Sequence, residues 1–390
     1  MIDQGKLYEF TGSHYEMGYQ QGDTFKTNLH KAISMFKNLE EVKSLKPRLI
    51  PTGLFMKLAS KKAISVFKPI FEKNCPNQVE RVKGLAEGSE LSEKLIYLLM
   101  AAEVMLADLD WELPHIKTGC TSIAYKSLKT KSGNTMVSRN FDYASFLVPY
   151  LVLRKNAPIG YNKTIDLTAM ILPGTFNGMN EHGVFIGTDE AFPLEEKETG
   201  LPASLIIQEA LENCQNTEEV VQFFKKVPRG SANVVLVADP SDDIRALEYT
   251  SKRLYERTTE KDFIVATNHF TFEELKSIDL PREAVFGPKS PKSLWGVCIN
   301  ETSYIRKKTA EAKIKKANKI DEKWMMALHR DHSADPNGKG GMCTICHHDP
   351  ENISAASMIF NLKSKVFWMC LGLPCENEYN RYQIKGWRFA

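Results

Sequence analysis

Cys120 follows Gly119 and opens the strand-like run Cys120-Thr-Ser-Ile-Ala-Tyr. A thiol is the best uncharged nucleophile among side chains, with a small thiolate fraction already present at neutral pH. The glycine before it permits backbone angles that let a sulfur approach the preceding carbonyl. Nineteen positions on, Arg139-Asn140-Phe141-Asp142 offers a guanidinium able to stabilise a thiolate. It also offers a carboxylate able to hydrogen-bond an α-amino group or orient a substrate. Plainer readings fit the same spacing: a buried small side chain for Cys120, and a local surface ion pair for Arg139 and Asp142.

The elements around Cys120 must decide between these readings. Before it the texture is helical. Met17, Tyr19, Phe25, Leu29, Ile33 and Phe36 mostly suit one face of a helix over 15–36. Ser92 is placed to cap a helix over 92–106, and Pro47 and Pro51 make the start of the basic, apolar segment 46–71 loop-like. From Cys120 onward short strands are expected at 121–125, 135–139, 166–172, 184–188, 233–238, 244–250, 253–257, 263–267, 355–360 and 366–371. Helices are expected at 203–214, 217–226 and about 303–318. Gly133-Asn134 and Ser251-Lys252 fall where hairpin turns are needed. A turn near Gly133 brings Arg139 back beside Cys120. The pattern predicts layered sheets with helices packed outside and the amino-terminal helices as a separate subregion.

Composition narrows the partners. The chain has 390 residues, with 51 Lys and Arg against 48 Asp and Glu and a net charge of +3, too little for a nucleic-acid surface. Its hydrophobic share of 43% and charged share of 25% exclude disordered and collagen-like chains. No apolar run approaches the roughly 20 residues of a spanning helix, and the first residues lack a secretory signal. Eight cysteines are too dilute for a disulfide framework. The expectation is a cytoplasmic protein with no membrane or nucleic-acid partner; a homo-oligomer remains open. Cys343-Thr-Ile-Cys346 has half the spacing of a zinc site, but Cys370 and Cys375 do not form a matching second pair, so no metal is expected. Gly338-Lys-Gly-Gly341 lacks the rest of a phosphate-binding loop.

Several motifs stand in a familiar order. Gly119-Cys120-Thr121-Ser122 with Ser138-Arg139-Asn140-Phe141-Asp142 resembles the acyl-coenzyme A:6-aminopenicillanic-acid acyltransferase-like family of amino-terminal-nucleophile hydrolases. Bile salt hydrolase and penicillin V acylase are more distant relatives. Gly12-Ser-His-Tyr-Glu-Met-Gly18-Tyr-Gln-Gln-Gly22 is similar to the family's glycine-spaced amino-terminal signature, and Gly178-Met-Asn-Glu-His-Gly183 to its Gly-x-Asn-Glu-x-Gly turn. Thr267-Asn268-His269 is similar to its oxyanion-hole segment. Thr344-Ile-Cys-His-His348 and Gly372-Leu-Pro-Cys375 are similar to its carboxy-terminal signatures.

The resemblance implies an α+β, four-layer αββα sandwich, the amino-terminal-nucleophile hydrolase fold, with a helical amino-terminal region at 1–119 and a catalytic region at 120–390. It implies self-cleavage between Gly119 and Cys120, the two fragments staying together. The freed α-amino group of Cys120, with an ordinary pKa near about 8, then serves as base for its own thiol. Asn268 would donate to the oxyanion and Arg306 would support the nucleophile; without the resemblance they read as a strand-ending Asn and a solvated helix face. Bile-salt-hydrolase-like relatives carry Asn or Tyr where this chain has Asp189-Glu190, so an acidic pair there is expected to meet a cationic part of the substrate. The expected activity is hydrolysis of a small-molecule N-acyl amide through a thioester on Cys120, with no cofactor. One alternative is an N-acyltransferase taking its acyl group from a coenzyme A thioester as co-substrate. The other is an uncleaved, silent binding module.

Overall fold

The computed structural model describes residues 5–37, 49–105, 119–287, 295–349 and 352–384. Its strands, in chain order, are β1 (Leu7–Gly12), β2 (Thr121–Tyr125), β3 (Met136–Ala144), β4 (Leu151–Pro158), β5 (Thr164–Ala169), β6 (Asn177–Asn180) and β7 (Phe185–Glu190). They continue with β8 (Asn233–Ala238), β9 (Ile244–Tyr249), β10 (Leu254–Arg257), β11 (Phe263–Ala266), β12 (Asn352–Asn361), β13 (Val366–Leu371) and β14 (Asn380–Gln383). The order β1-β4-β5-β6-β7-β8-β9-β10 makes one sheet and β11-β2-β3-β12-β13-β14 the other. All pairings are antiparallel except β1 with β4.

The two sheets face one another, β2 lying against β7 and β8, and β11 against β8 and β9. Helices α5 (Ala203–Asn213) and α6 (Thr217–Lys226) cover the outside of the larger sheet. Helices α7 (Glu301–Lys316) and α8 (Glu322–His329) cover the outside of the smaller one. This is the expected α+β, αββα sandwich. Burial follows the alternation of β2: Ala124 joins the main core, while Ile123 and Tyr125 pack beneath α7 and α8 with Ala310, Ile314, Met325 and Leu328.

The hairpin predicted around Gly133 forms, with Gly133 in the left-handed region at φ 66°. Thr121 lies opposite Asn140 and Ser122 opposite Arg139. Strand β3 runs to Ala144, beyond the expected end, and so carries Asp142 as well as Arg139. Beside Asp142 the register of β12 shifts between Ser354 and Ala356. Such a bulge re-aims the side chains next to it.

The amino-terminal region holds α1 (His14–Phe36), α2 (Thr52–Asn74), α3 (Pro76–Ser89) and α4 (Glu93–Met105), but it is not purely helical or separate. Strand β1 completes the edge of the larger sheet, and Phe10, Phe25, Val82 and Leu85 belong to the main hydrophobic core. A buried polar network fastens the helices to that sheet. Arg81 donates to Asn156 at 2.6 Å, Arg154 to Asp166 at 2.8 Å, and Gln78 to Glu212 at 2.9 Å. The expected helix 92–106 is present as α4, whereas α3 escaped prediction. No helix among the described residues is long and apolar enough to cross a membrane.

Helices α1 and α3 touch through glycines. A Cβ on Gly84 would stand 1.9 Å from the Tyr15 carbonyl oxygen, and one on Gly18 2.1 Å from that of Arg81. Gly84→Ala should therefore push the helices apart and cost about 1–3 kcal/mol or more in thermal unfolding. Gly53→Ala, in α2 with open space around it, should be neutral or stabilising by up to about 1 kcal/mol. Equal melting temperatures for the two variants would contradict this packing.

Candidate active site

Cys120 sits directly before β2 and is 1% exposed. Its Sγ lies 3.8 Å from the backbone carbonyl oxygen of Asp142 across the hairpin. The candidate catalytic and binding residues named from the sequence are drawn to it from both sheets and from α7.

Towards the larger sheet stands Arg139. Its guanidinium donates to Ser122 Oγ at 3.2 Å and to the Thr188 carbonyl, lies 3.5 Å from Asp189 Oδ1, and faces the Phe141 ring at 5.5 Å. Ser122 also donates to Asp189 Oδ1 at 2.9 Å. The cation that Asp189 meets is thus Arg139, and Asp189 is fully buried. This corrects the expectation of a carboxylate displayed to a cationic substrate. Glu190 contributes its backbone: its carbonyl accepts from Asn268 Nδ2 at 2.9 Å.

From the opposite side comes Arg306 of α7. It donates to the Cys120 carbonyl at 2.5 Å, to Thr121 Oγ1 at 2.9 Å and to Asn268 Oδ1 at 3.0 Å. The basic run that includes Arg306 is no solvated face at this position. Arg306, Ala310 and Ile314 recur every four residues and form the buried stripe of the helix. Arg306 fixes the Asn268 amide, and one of the two N–H bonds of that amide is committed to Glu190. The second is the donor an oxyanion role requires.

The third cluster surrounds Gly119. A Cβ there would lie 3.0 Å from Asp142 Oδ2 and 3.1 Å from His347 Nδ1, so only a hydrogen fits comfortably. Asp142 Oδ1 accepts from Ser354 at 2.6 Å, and Ser354 Oγ in turn accepts from the His347 backbone at 2.9 Å. Asp142 Oδ2 and His347 Nδ1 lie 4.0 Å apart and have no hydrogen-bond partner. Sequence reasoning gave His347 and Ser354 no role. In the sequence His347 is one position of the Thr344–His348 motif, and Ser354 reaches Asp142 through a bulge that no spacing announces.

Burial dominates the electrostatics. It pushes the Cys120 thiol up to about 12 despite Arg139 beside it. It lifts Asp142 to about 7 against the pull of Arg306 and the Ser354 hydrogen bond, and Asp189 to about 6 against Arg139. His347 is driven down to about 3, first by burial and then by Arg306, so its ring is neutral. The arrangement is a neutral thiol among groups that can stabilise negative charge, beside a carboxyl poised near neutrality.

Because Asp142 is lifted from 3.8 to about 7, the folded chain keeps a proton that the unfolded chain releases. That contribution to stability is fully present at acid pH and is lost as pH rises through about 7. Asparagine does not titrate and still accepts from Ser354. In an uncut Cys120→Ala background, Asp142→Asn should gain melting temperature relative to its parent between about pH 4 and about pH 8, by at most a few kcal/mol in equivalent stability. A pH-independent difference would contradict the raised pKa.

Among solved structures the chain is similar to a Caenorhabditis elegans ortholog of N-acylethanolamine-hydrolyzing acid amidase: 17% identical, covering 62% of this chain and 93% of that one, TM-score 0.41. It is also similar to a variant of conjugated bile acid hydrolase from Clostridium perfringens (13%, 68% and 97%, 0.42) and to penicillin V acylase from Agrobacterium tumefaciens (12%, 68% and 87%, 0.37). No curated protein matches the sequence. The family model for acyl-coenzyme A:6-aminopenicillanic acid acyl-transferase matches residues 128–374, which contain Arg139, Asp142, Asn268 and Arg306 and begin shortly after Cys120. Spanning more than half of the sequence, that match shows that the chain belongs to the acyl-coenzyme A:6-aminopenicillanic acid acyl-transferase family, and it is a hydrolase or acyltransferase.

Proposed function

We propose that the protein is a self-processing cysteine amidohydrolase acting on N-acyl amides through Cys120. The observation that carries this reading is the crowding of polar groups on both sides of the Gly119–Cys120 junction. Gly119 is packed against the free oxygen of Asp142 and the free nitrogen of His347, while Arg306 holds the carbonyl of the next peptide, Cys120–Thr121. In the precursor, Asp142 is the proton acceptor at the junction, its pKa lifted by burial to about 7, close to a neutral pH. The Cys120 sulfur loses its proton and attacks the Gly119 carbonyl carbon. The C–N bond breaks, the departing nitrogen takes a proton, and water releases the thioester as the Gly119 carboxylate. Because β1 and the amino-terminal helices share the sheet and core of the rest of the chain, the fragments 1–119 and 120–390 stay together.

Cleavage supplies what the thiol lacks. The new α-amino group lies where Gly119 was joined, within reach of Asp142, and takes the thiol proton. The sulfur then attacks the substrate acyl carbon, and the Asn268 amide stabilises the oxyanion, a contribution of about 3 kcal/mol where such donors are measured. The α-ammonium returns its proton to the leaving amine, and water completes the cycle. In this reading Asp189 and Ser122 orient Arg139 next to the sulfur. No cofactor enters. A coenzyme A thioester would deliver its acyl group to the same sulfur, with an amine in place of water as acceptor. Eight cysteines in 390 residues are too dilute for a disulfide framework and fit a reducing compartment, and we place the enzyme in the cytoplasm.

Incubation with a panel of N-acyl amides followed by acid quench should leave an acyl mass on the chain that begins at Cys120. Hydroxylamine should divert the product to the hydroxamate. Cys120→Ala should lose turnover by about 10⁴-fold or more. Turnover persisting in Cys120→Ala, or acyl mass on another residue, would refute the reading.

A further inference from the structure

His332, Cys346 and His348 lie in the segment between α8 and β12, and Cys375 in the turn between β13 and β14. The fold brings them together: one ligand atom from each lies within 4.8 Å of all the others. Cys346 Sγ and Cys375 Sγ stand 3.4 and 3.3 Å from Nε2 of His348. Two sulfurs and two nitrogens around a tetrahedral zinc require sulfur–nitrogen separations of about 3.6 Å.

His332 supplies an independent indication. Its Nδ1 lies 3.3 Å from the carbonyl oxygen of Gly338, which can only accept. The ring proton is therefore on Nδ1, and Nε2 carries a bare lone pair. That Nε2 is buried and has no hydrogen-bond partner. A ring held through one nitrogen by a backbone carbonyl, with the other left unpaired, is the usual arrangement of a metal-binding histidine.

We propose that His332, Cys346, His348 and Cys375 form a tetrahedral zinc site. Each thiol gives up its proton to solvent on binding, so two thiolates balance the charge of the ion and the site is neutral overall. Four protein ligands leave no position open for substrate, which makes the site structural. Arg330 already ties the same two segments, donating to the carbonyls of Pro374 at 2.7 Å and Asn377 at 3.1 Å. The ion would fix that junction from within. It would also hold His347, flanked by two ligands, against Asp142 at 4.0 Å. Cys343, the apparent partner of Cys346 in the sequence, has no part in the cluster.

The test is elemental analysis of full-length protein from zinc-supplemented growth after exhaustive dialysis, followed by exchange with Co²⁺. The expected result is one zinc per chain, retained in Cys343→Ser and lost in Cys375→Ser and His332→Ala. Because these last variants could fail to fold, wild-type protein loaded with cobalt carries the decisive readout: thiolate-to-cobalt charge-transfer bands with visible bands of tetrahedral intensity. Folded wild-type protein without stoichiometric zinc or cobalt–thiolate bands would overturn the proposal. So would a Cys346–Cys375 disulfide in the intact mass, or metal lost in Cys343→Ser but kept in Cys375→Ser.

Discussion

Charges removed from water must answer one another, and around Cys120 that requirement binds both sheets and the α7 layer together. Arg139 reaches from β3 to Asp189 on β7, so an ion pair spans the two sheets. Arg306 reaches from α7 through β2 to the Cys120 carbonyl and onward to Asn268. Removing one partner of such a buried pair leaves the other stranded, at a cost of about 3–5 kcal/mol. The contacts that shape the site are therefore also contacts that align the sandwich. The bulge at Ser354 and the close fit at Gly119 serve the same arrangement, since each settles the Asp142 carboxyl where water cannot.

The same burial governs reactivity. A thiol raised to about 12 is inert by itself, and the neutral His347 ring cannot lower it by charge. On the proposed reading the chain resolves this by making its own base: breaking the Gly119–Cys120 bond turns an amide nitrogen without basicity into an amine beside the sulfur. Asp142 serves twice, first as acceptor for the thiol proton and then as hydrogen-bond partner of the amine. The His347 ring already stands beside Gly119, but burial drives it down to about 3, which makes it a weak base.

What could be read from the sequence follows from what periodicity records. The β2–β3 hairpin was legible because Gly133 marks its turn, α5 and α6 because their apolar or capping patterns are regular, and α7 as a charged run free of Gly and Pro. Strand β4 was not, because Arg154 and Asn156 are buried in a polar network and break the apolar alternation. Strand β1 is short and lies at an edge, ahead of a long amphipathic helix that dominates its surroundings. Arg306 reads locally as one of a basic run, and only motif resemblance separated it from its neighbours. That Asp189 would meet Arg139 could not be read, because pairing across two sheets has no signature in chain order. The Cys346 cluster shows the same limit: its partners come from either side of the β12–β13 hairpin.

The central claim concerns one peptide bond, and intact-mass spectrometry of purified full-length protein beside Cys120→Ala tests it most directly. The account predicts two chains for the wild type, 1–119 and 120–390, with Cys120 as the new amino terminus and a single uncut chain for the variant. A single uncut chain of 44.2 kDa in both samples would contradict it.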